Sequence, residues 1–353
     1  MTLQRQVLFW GASLLVFIAL VWLLHQVLLP FVAGMALAYL LDPLANRIER
    51  LGVNRLLATF IMIVVFALVL VLLAILIVPL LAAQATAFIE NIPAYSARLQ
   101  ALITDPSRPW LSKLVGSGFP DLQVGAFVKD AAGASAVFLG SLWSGGQAVA
   151  SLVSLFVIAP VVAFYLLLDW HRMVAAIDRW LPRDHADTIR ALAREIDRAV
   201  AGFVRGQTLV SLILGVCYVV GFVSIGLHFG LLIGLCTGLA SFIPYVGTFA
   251  GMVVALIVAV LQFWPDWMPI LAVLGVGVVA GALESYVLSP YLVGPSVGLH
   301  PVWLMFALFA FASLFGFLGL IVAIPLSAAV GVLVRFALKQ YLTSRVYSGS
   351  RIS

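Results

Sequence analysis

The chain has 353 residues, of which 64% are hydrophobic and only 9% are charged, and its mean hydropathy is +1.18. Soluble globular proteins carry about 25% charged residues, so this composition excludes a soluble protein and predicts an all-α polytopic membrane protein. The net charge is +5, but the basic residues lie at the predicted membrane edges. There they indicate topology and give no sign of a nucleic-acid partner.

Residues 1–83 are predicted to form the first three transmembrane helices. The first charge-free stretch of this region is too long for one crossing, because a helix rises about 1.5 Å per residue. His25, Gln26 and Pro30 lie in its middle, where a polar turn would make a helical hairpin. Arginines flank the stretch on both sides, which places the N-terminus in the cytoplasm.

The middle of the chain is predicted to leave the membrane and return. Residues 84–146 hold balanced charges and apolar residues at three- to four-residue spacing, so we expect an extracytoplasmic amphipathic helical segment. Residues 147–170 are predicted to be the fourth transmembrane helix. Residues 171–205 carry seven arginines, a strong cytoplasmic signal, and we expect a basic amphipathic helix that rests on anionic lipid.

Residues 206–338 are the predicted transport core, and residues 339–353 are the predicted cytoplasmic tail. Two stretches of the core, about 226–262 and 298–334, resemble each other at an offset of 72 residues. Each begins with Gly-Leu-His, continues with an Ala-Ser pair and a glycine, and has a helix break in its middle. The breaks are either kinks in membrane-spanning helices or the tips of re-entrant hairpins that enter from opposite faces.

Polar and helix-breaking residues at membrane depth are the candidate positions for binding a substrate or an ion. Glu284 is a carboxylate well inside an apolar stretch, where a charge is costly and is therefore a functional candidate. Paired broken helices point to a transporter site, because they free backbone groups. The other candidates are Ser241, Pro244 and Gly247 in the first copy, and Ser313, Gly316 and Gly319 in the second.

The chain lacks the sequence signals of several enzyme classes. It has no phosphate-binding loop, no HExxH zinc motif and no GxSxG nucleophile motif. Its five histidines and two cysteines show no metal-ligand spacing. We therefore expect a protein that is not an enzyme and that uses no cofactor and no metal.

Several motifs resemble those of the autoinducer-2 exporter family of bacterial permeases. The run ESYVLSPYLVGPSV, which starts at Glu284, continues into Gly-Leu-His-Pro, and IPYVG around Pro244 and FGFLG around Gly316 accompany it. The resemblance covers nearly the whole chain and departs at Tyr291, where a basic or polar residue is expected. It identifies as hinge or motif positions Pro290, Gly294, His300, Pro301, Gly206 and Gln207.

The resemblance implies about eight membrane helices in a bacterial cytoplasmic membrane, with both termini inside. It also implies a homo-oligomer, and some members of the family look like pentamers. We hypothesise a secondary transporter or exporter of a small polar solute such as autoinducer-2, coupled to H⁺ or Na⁺. One alternative is a Na⁺/H⁺ antiporter, and an alternative of another class is a non-transporting membrane scaffold. The expected partners are membrane lipid, the solute, H⁺ or Na⁺, and further copies of the chain.

Overall fold

The computed structural model of the protein describes residues 23–103, 146–244, 246–294 and 300–344, and single residues at 12, 16, 20, 298 and 347. The regular elements of this described part are all helical. In chain order they are α1 (His25–Arg50), α2 (Arg55–Ile103), α3 (Gly146–Arg179), a 3-10 turn (Arg183–His185), α4 (Ala186–Ile225), α5 (Gly230–Ala240), α6 (Val246–Phe263), α7 (Trp267–Ala282), a π-helical segment (Leu283–Val293) and α8 (Pro301–Leu342).

Seven helical segments of the described part are long and apolar enough to cross a membrane. They are Leu28–Arg50, Arg55–Phe88, Phe156–Arg179, Arg183–Ile225, Val246–Phe263, Trp267–Val293 and Val302–Leu342. Helix α5 is apolar but shorter. A turn separates α5 from α6, and the backbone of α8 is non-helical at Gly316. The prediction of an all-α polytopic membrane protein with broken helices in its C-terminal half is therefore confirmed.

The polar turn predicted at His25, Gln26 and Pro30 is wrong, because all three residues lie inside α1. The Leu28 N–H donates to Leu24 O at 3.1 Å, which carries the helical pattern across the start of the helix. Proline is tolerated in a membrane helix because neighbouring groups satisfy the backbone carbonyl that it leaves free.

The helical segment predicted outside the membrane begins as a direct continuation of α2, which runs unbroken to Ile103. The rest of that prediction, residues 104–145, lies outside the described residues. The arginine-rich segment is helical, but the 3-10 turn after Pro182 divides it between α3 and α4. It is therefore two helical arms rather than one continuous amphipathic helix.

The chain divides into two compact units. Unit 1 comprises Met1–Phe66, Ser154–Leu209 and Tyr286–Ser353, and unit 2 comprises Ala67–Val153 and Val210–Ser285. A buried core of unit 1 joins α1, α2 and α3 through small and aliphatic side chains: Ala38, Leu41, Ala45, Met62, Ala163 and Leu167. Small residues at these contacts let the helix backbones approach closely, as is common in membrane proteins.

Arg55 fastens three helices of unit 1 at the loop between α1 and α2. Its guanidinium donates to Asp42 Oδ1 at 3.0 Å and to Glu49 Oε2 at 3.1 Å. Its Nε donates to the main-chain oxygen of Leu167 at 3.0 Å, and Asn46 Oδ1 accepts a further hydrogen bond. Because the Arg55 side chain is only 15% exposed, this network fixes the ends of α1 and α2 against α3.

Unit 2 is built around α5, α6 and α7, with α6 in contact with both of the others. A side chain on Gly251 of α6 would overlap with Thr237 of α5, and one on Gly277 of α7 would overlap with Met252 of α6. The absence of side chains at these two positions brings the three helices close together. In a membrane, where apolar surface gains little from leaving lipid, such close packing supplies much of the stabilisation.

The first repeat copy is a helical hairpin, formed by α5, the turn between Ala240 and Val246, and α6. At its open end Gln262 Oε1 accepts a hydrogen bond from His228 N at 2.6 Å, and Gln262 Nε2 donates to Gly226 O at 2.8 Å. The end of α6 thus returns to the start of α5. We call this element the first hairpin.

The second repeat copy is also a hairpin, formed by α8 folding back at Gly316. This residue has φ 59° and ψ −136°, a conformation that glycine adopts more readily than any other residue. Ala310 before the turn and Ser327 after it line the same cavity, and Arg335 lies beside Gly298 at the open end. Both copies therefore reverse direction, which excludes a kinked rod. We call this element the second hairpin.

Candidate functional site

Glu284 lies at the start of the π-helical segment that follows α7. Its side chain is half-buried. π-helical turns are rare and are frequently found at functional sites. A carboxylate in so apolar a segment needs polar partners, because charge is costly at membrane depth.

Glu284 is linked to the turn of the first hairpin through two hydroxyl groups. Thr248 Oγ1 donates to Glu284 Oε2 at 3.1 Å. Ser241 Oγ lies 3.3 Å from Thr248 Oγ1 and donates to Thr237 O at 2.7 Å. Ser241 is fully buried, so these groups lie inside unit 2. We call Ser241, Thr248 and Glu284 the hydroxyl–carboxylate chain.

Tyr218 of α4 brings another hydroxyl to the same place. Its side chain is fully buried and lies near both Thr248 and Glu284. Among the described residues its hydroxyl has no hydrogen bond of normal length and angle. A buried hydroxyl without such a bond is uncommon and is typical of a position that receives a water molecule, an ion or a ligand.

The close start of α6 explains why these groups meet. A side chain on Gly247 would overlap with the backbone of Ala240, so α6 begins directly against the end of α5. This approach places Thr248 opposite Ser241, and the contact between α6 and α7 brings Glu284 within reach of Thr248. The geometry of the site therefore depends on Gly247, a residue that has no side chain to bind a ligand.

The donor pattern makes the hydroxyl–carboxylate chain responsive to a proton or a small cation. Each hydroxyl has a single proton, and Ser241 donates its proton to Thr237 O while Thr248 donates to Glu284. The Ser241 and Thr248 oxygens lie 3.3 Å apart, and either hydroxyl can donate to the other. A proton on Glu284 would reverse the direction, so that Glu284 donates to Thr248 and Thr248 donates to Ser241. Hydroxyl and carboxylate oxygens are also ligands for a small cation.

The two repeat copies differ in what they bring together. Ser241 and Gly247 lie with Glu284 in unit 2, and Pro244 lies in the same turn. Ser313, Gly316 and Gly319 lie at the turn of the second hairpin, in unit 1. Ser313 is exposed and donates to Ala310 O at 2.9 Å, so this bond is local to its own helix.

Four of the predicted motif positions lie where α4 meets the π-helical segment. A side chain on Gly206 would overlap with the main-chain oxygen of Leu292, so the two helices touch through their backbones. Gln207 is 2% exposed. Pro290 lies within the π-helical segment and Gly294 directly after it, and both are exposed. These four positions contribute to the packing of unit 1, and none of them belongs to the hydroxyl–carboxylate chain.

The other two motif positions, His300 and Pro301, start the second hairpin. His300 is the N-cap of α8, and its Nδ1 accepts a hydrogen bond from Val302 N at 3.3 Å. Pro301 is the first residue of the helix, a position where proline is favoured because no backbone hydrogen bond is lost. Both residues act here as a helix start.

Sequence reasoning did not single out Thr248 or Tyr218. Thr248 follows directly after Gly247, so its place beside the predicted helix break was a sequence feature that pointed to it. Tyr218 is a polar-tipped side chain in a long run with few charged residues, and such a residue needs a partner when it is buried. Neither periodicity nor spacing shows that α4 and α6 bring these two side chains together.

Comparisons with known proteins agree with the motifs. The family model described as AI-2E family transporter matches residues 12–339. PerM of Escherichia coli strain K12, which is named as a permease, is 31% identical over 325 residues that cover 88% of this chain and 87% of that protein. YrrI of Bacillus subtilis strain 168, which is named as a transport protein, is 29% identical over 319 residues, covering 88% of this chain and 87% of that protein.

Proposed function

Because the chain belongs to the AI-2E family of transporters, we propose that it is a secondary transporter that moves a small polar solute, of the autoinducer-2 type, across the bacterial cytoplasmic membrane. In this proposal a gradient of H⁺ or Na⁺ drives transport, and both chain termini lie in the cytoplasm. The observation that supports it best is the hydroxyl–carboxylate chain at the turn of the first hairpin.

Glu284 is the proposed coupling group. When Glu284 is ionised, it accepts the Thr248 proton. Binding of H⁺ to Glu284 makes the carboxyl a donor to Thr248, and Na⁺ beside it neutralises the carboxylate charge. The two states differ in charge and in the direction of hydrogen bonding at the hairpin turn, and a transporter can use such a difference to link ion binding to a change of conformation.

The two hairpins are proposed to be re-entrant. Helix α5 has 11 residues, which span about 17 Å at 1.5 Å per residue. The hydrocarbon core of a bilayer is about 30 Å thick, so α5 reaches only part of the way before the chain turns. The first arm of α8, from Pro301 to the turn at Gly316, spans about 22 Å by the same rise. Irregular backbone at each turn would then lie within the membrane, where it is tolerated if protein or a water-filled cavity covers it.

Proteoliposome flux tests the proposal. The purified full chain is reconstituted, a panel of small polar solutes including autoinducer-2 is loaded, and flux is measured with and without imposed H⁺ and Na⁺ gradients. Glu284→Gln keeps the shape of the side chain and supplies a permanent donor to Thr248, which imitates the protonated carboxyl. We expect this variant to insert normally and to lose gradient-dependent flux.

Asp266→Asn is the matched control, because it removes the other charge between residues 206 and 334. Asp266 is the N-cap of α7 and accepts a hydrogen bond from Met268 N at 3.1 Å, a role that asparagine also fills. This variant should transport as the wild type does. Gradient-dependent flux in Glu284→Gln that equals the wild-type flux would refute the role of Glu284.

A Na⁺/H⁺ antiporter is the second candidate, and it is favoured by the same cluster, since a proton and a small cation compete for one set of oxygens. The proteoliposome experiment separates the two. Exchange of Na⁺ for H⁺ without movement of any solute would establish the antiporter. A protein that moves neither solute nor ion, and whose hairpin turns stay closed to aqueous thiol reagents, would instead fit a membrane scaffold.

A further inference from the structure

The second hairpin holds a groove between its two arms that the proposed transport site does not use. The groove has a volume of about 560 Å³ and is lined mainly by apolar side chains of both arms. Phe306 and Phe311 line it from the first arm, and Val330 and Val334 from the second. Mainly apolar pockets of this size are typical of ligand-binding sites.

The open end of the groove carries basic and polar groups, whereas its interior is mainly apolar. Arg335, His300 and Trp303 all line it at the end where the hairpin starts and finishes. Trp303 is 63% exposed, and an exposed tryptophan at the end of a membrane helix is typical of the lipid–water interface. From Arg335 the apolar lining extends to Ser327, about 12 Å along the helix.

We propose that this groove binds one anionic phospholipid, with an acyl chain between the two arms and the phosphate at Arg335. The positive charge of Arg335, beside Trp303 at the mouth of the groove, suits the phosphate of such a lipid. The apolar interior of the groove suits its acyl chain. Basic pockets between membrane helices on the cytoplasmic side are known to hold anionic head groups. This inference is independent of the proposed transport site.

The charges that face Arg335 favour an anion on balance. Glu195 of α4 accepts a hydrogen bond from Arg335 at 3.4 Å, and the two side chains are about half exposed. Such an exposed pair contributes little and rearranges easily. Lys339 lies one helical turn beyond Arg335 on the same face. These two positive charges outnumber the Glu195 carboxylate that pairs with Arg335.

Native mass spectrometry of the purified full chain tests the proposal, with phosphatidylglycerol and phosphatidylcholine of identical acyl chains as probes. The wild type should retain phosphatidylglycerol in preference to phosphatidylcholine. Arg335→Ala should lower phosphatidylglycerol affinity about fivefold, the loss expected for one basic residue at an anionic surface, and abolish the preference. Ala310→Phe, which fills the groove, should weaken binding of both lipids.

Two variants separate the head-group contact from general effects. Lys339→Ala removes a charge outside the groove lining and should weaken phosphatidylglycerol binding less than Arg335→Ala does. Glu195→Gln removes the ion pair but keeps Arg335. Both variants should retain the preference for phosphatidylglycerol. The proposal is overturned if Arg335→Ala keeps the wild-type preference, or if Glu195→Gln loses binding as Arg335→Ala does. It is equally overturned if Ala310→Phe binds lipid normally but loses an oligomer, since a second copy of the chain then covers the groove.

Discussion

Gly247 and Gly319, which are 72 residues apart in the chain, occupy equivalent places in the two hairpins. A side chain on Gly247 would overlap with the backbone of Ala240, and one on Gly319 would overlap with the backbone of Phe311. In each hairpin the helix after the turn therefore rests directly on the last turn of the helix before it. The sequence repeat thus corresponds to a structural repeat.

This equivalence predicts that Gly247→Ala and Gly319→Ala both destabilise the protein. The added methyl group meets main-chain atoms, which cannot move aside as a flexible side chain can. Overpacking of this kind costs about 2 kcal/mol of unfolding free energy. Thermal unfolding of the two variants in detergent, followed by circular dichroism, measures the loss.

Gly275→Ala is the control for both variants. Gly275 lies in α7, and a side chain there would meet nothing within 4 Å. Alanine is favoured over glycine in a helix by about 0.5–1 kcal/mol, so the midpoint of unfolding should stay level or rise. If Gly247→Ala were as stable as Gly275→Ala, that result would contradict the close contact between Gly247 and the backbone of Ala240.

Arg55 provides a second test, of unit 1. Arg55→Ala removes the donors to Asp42 Oδ1 and to the main-chain oxygen of Leu167. Hydrogen bonds that involve a charged group contribute about 1.5–3 kcal/mol, so we expect a loss of about 2 kcal/mol in unfolding free energy. The same measurement on Arg172→Ala should show less than about 0.5 kcal/mol, because the Arg172 side chain is 88% exposed and its ion pair with Asp169, at 3.4 Å, lies at the surface. Equal losses in the two variants would contradict the role given to the Arg55 network.

The helix breaks could be predicted from sequence because they depend on local chemistry. Pro244 and Gly316 interrupt apolar runs at matching places, and both coincide with a hairpin turn. Pro30 misled the prediction because membrane helices tolerate proline. Glu284 could be singled out because a charged side chain in an apolar run is energetically costly, but its partner Thr248 lies on another helix. Contacts of that kind depend on how helices pack, which the spacing of residues along one helix does not reveal.

The difference between the repeat copies predicts different effects of two equivalent serines. Ser241→Ala removes the hydroxyl that lies 3.3 Å from Thr248, whereas Ser313→Ala removes one that bonds only to its own helix among the contacts described. A hydrogen bond is worth about 1 kcal/mol, so Ser241→Ala should lower gradient-dependent flux about fivefold. Ser313→Ala should transport normally in the same proteoliposomes. Equal losses in the two variants would show that the two copies share one function.

Tyr218 separates a ligand-binding role from a structural one. Tyr218→Phe removes a buried hydroxyl that has no normal hydrogen bond to the described residues, so the unfolding free energy should change by less than about 0.5 kcal/mol or rise, because an unpaired buried polar group is unfavourable. If the hydroxyl binds the transported solute or the coupling ion, the half-saturating concentration should rise about tenfold, as expected for the loss of a hydrogen bond to a charged or polar ligand. Tyr165→Phe, at a residue that is 59% exposed, is the control and should alter neither quantity. A clear loss of stability in Tyr218→Phe with unchanged flux would instead assign the hydroxyl to the packing of α4 against α6.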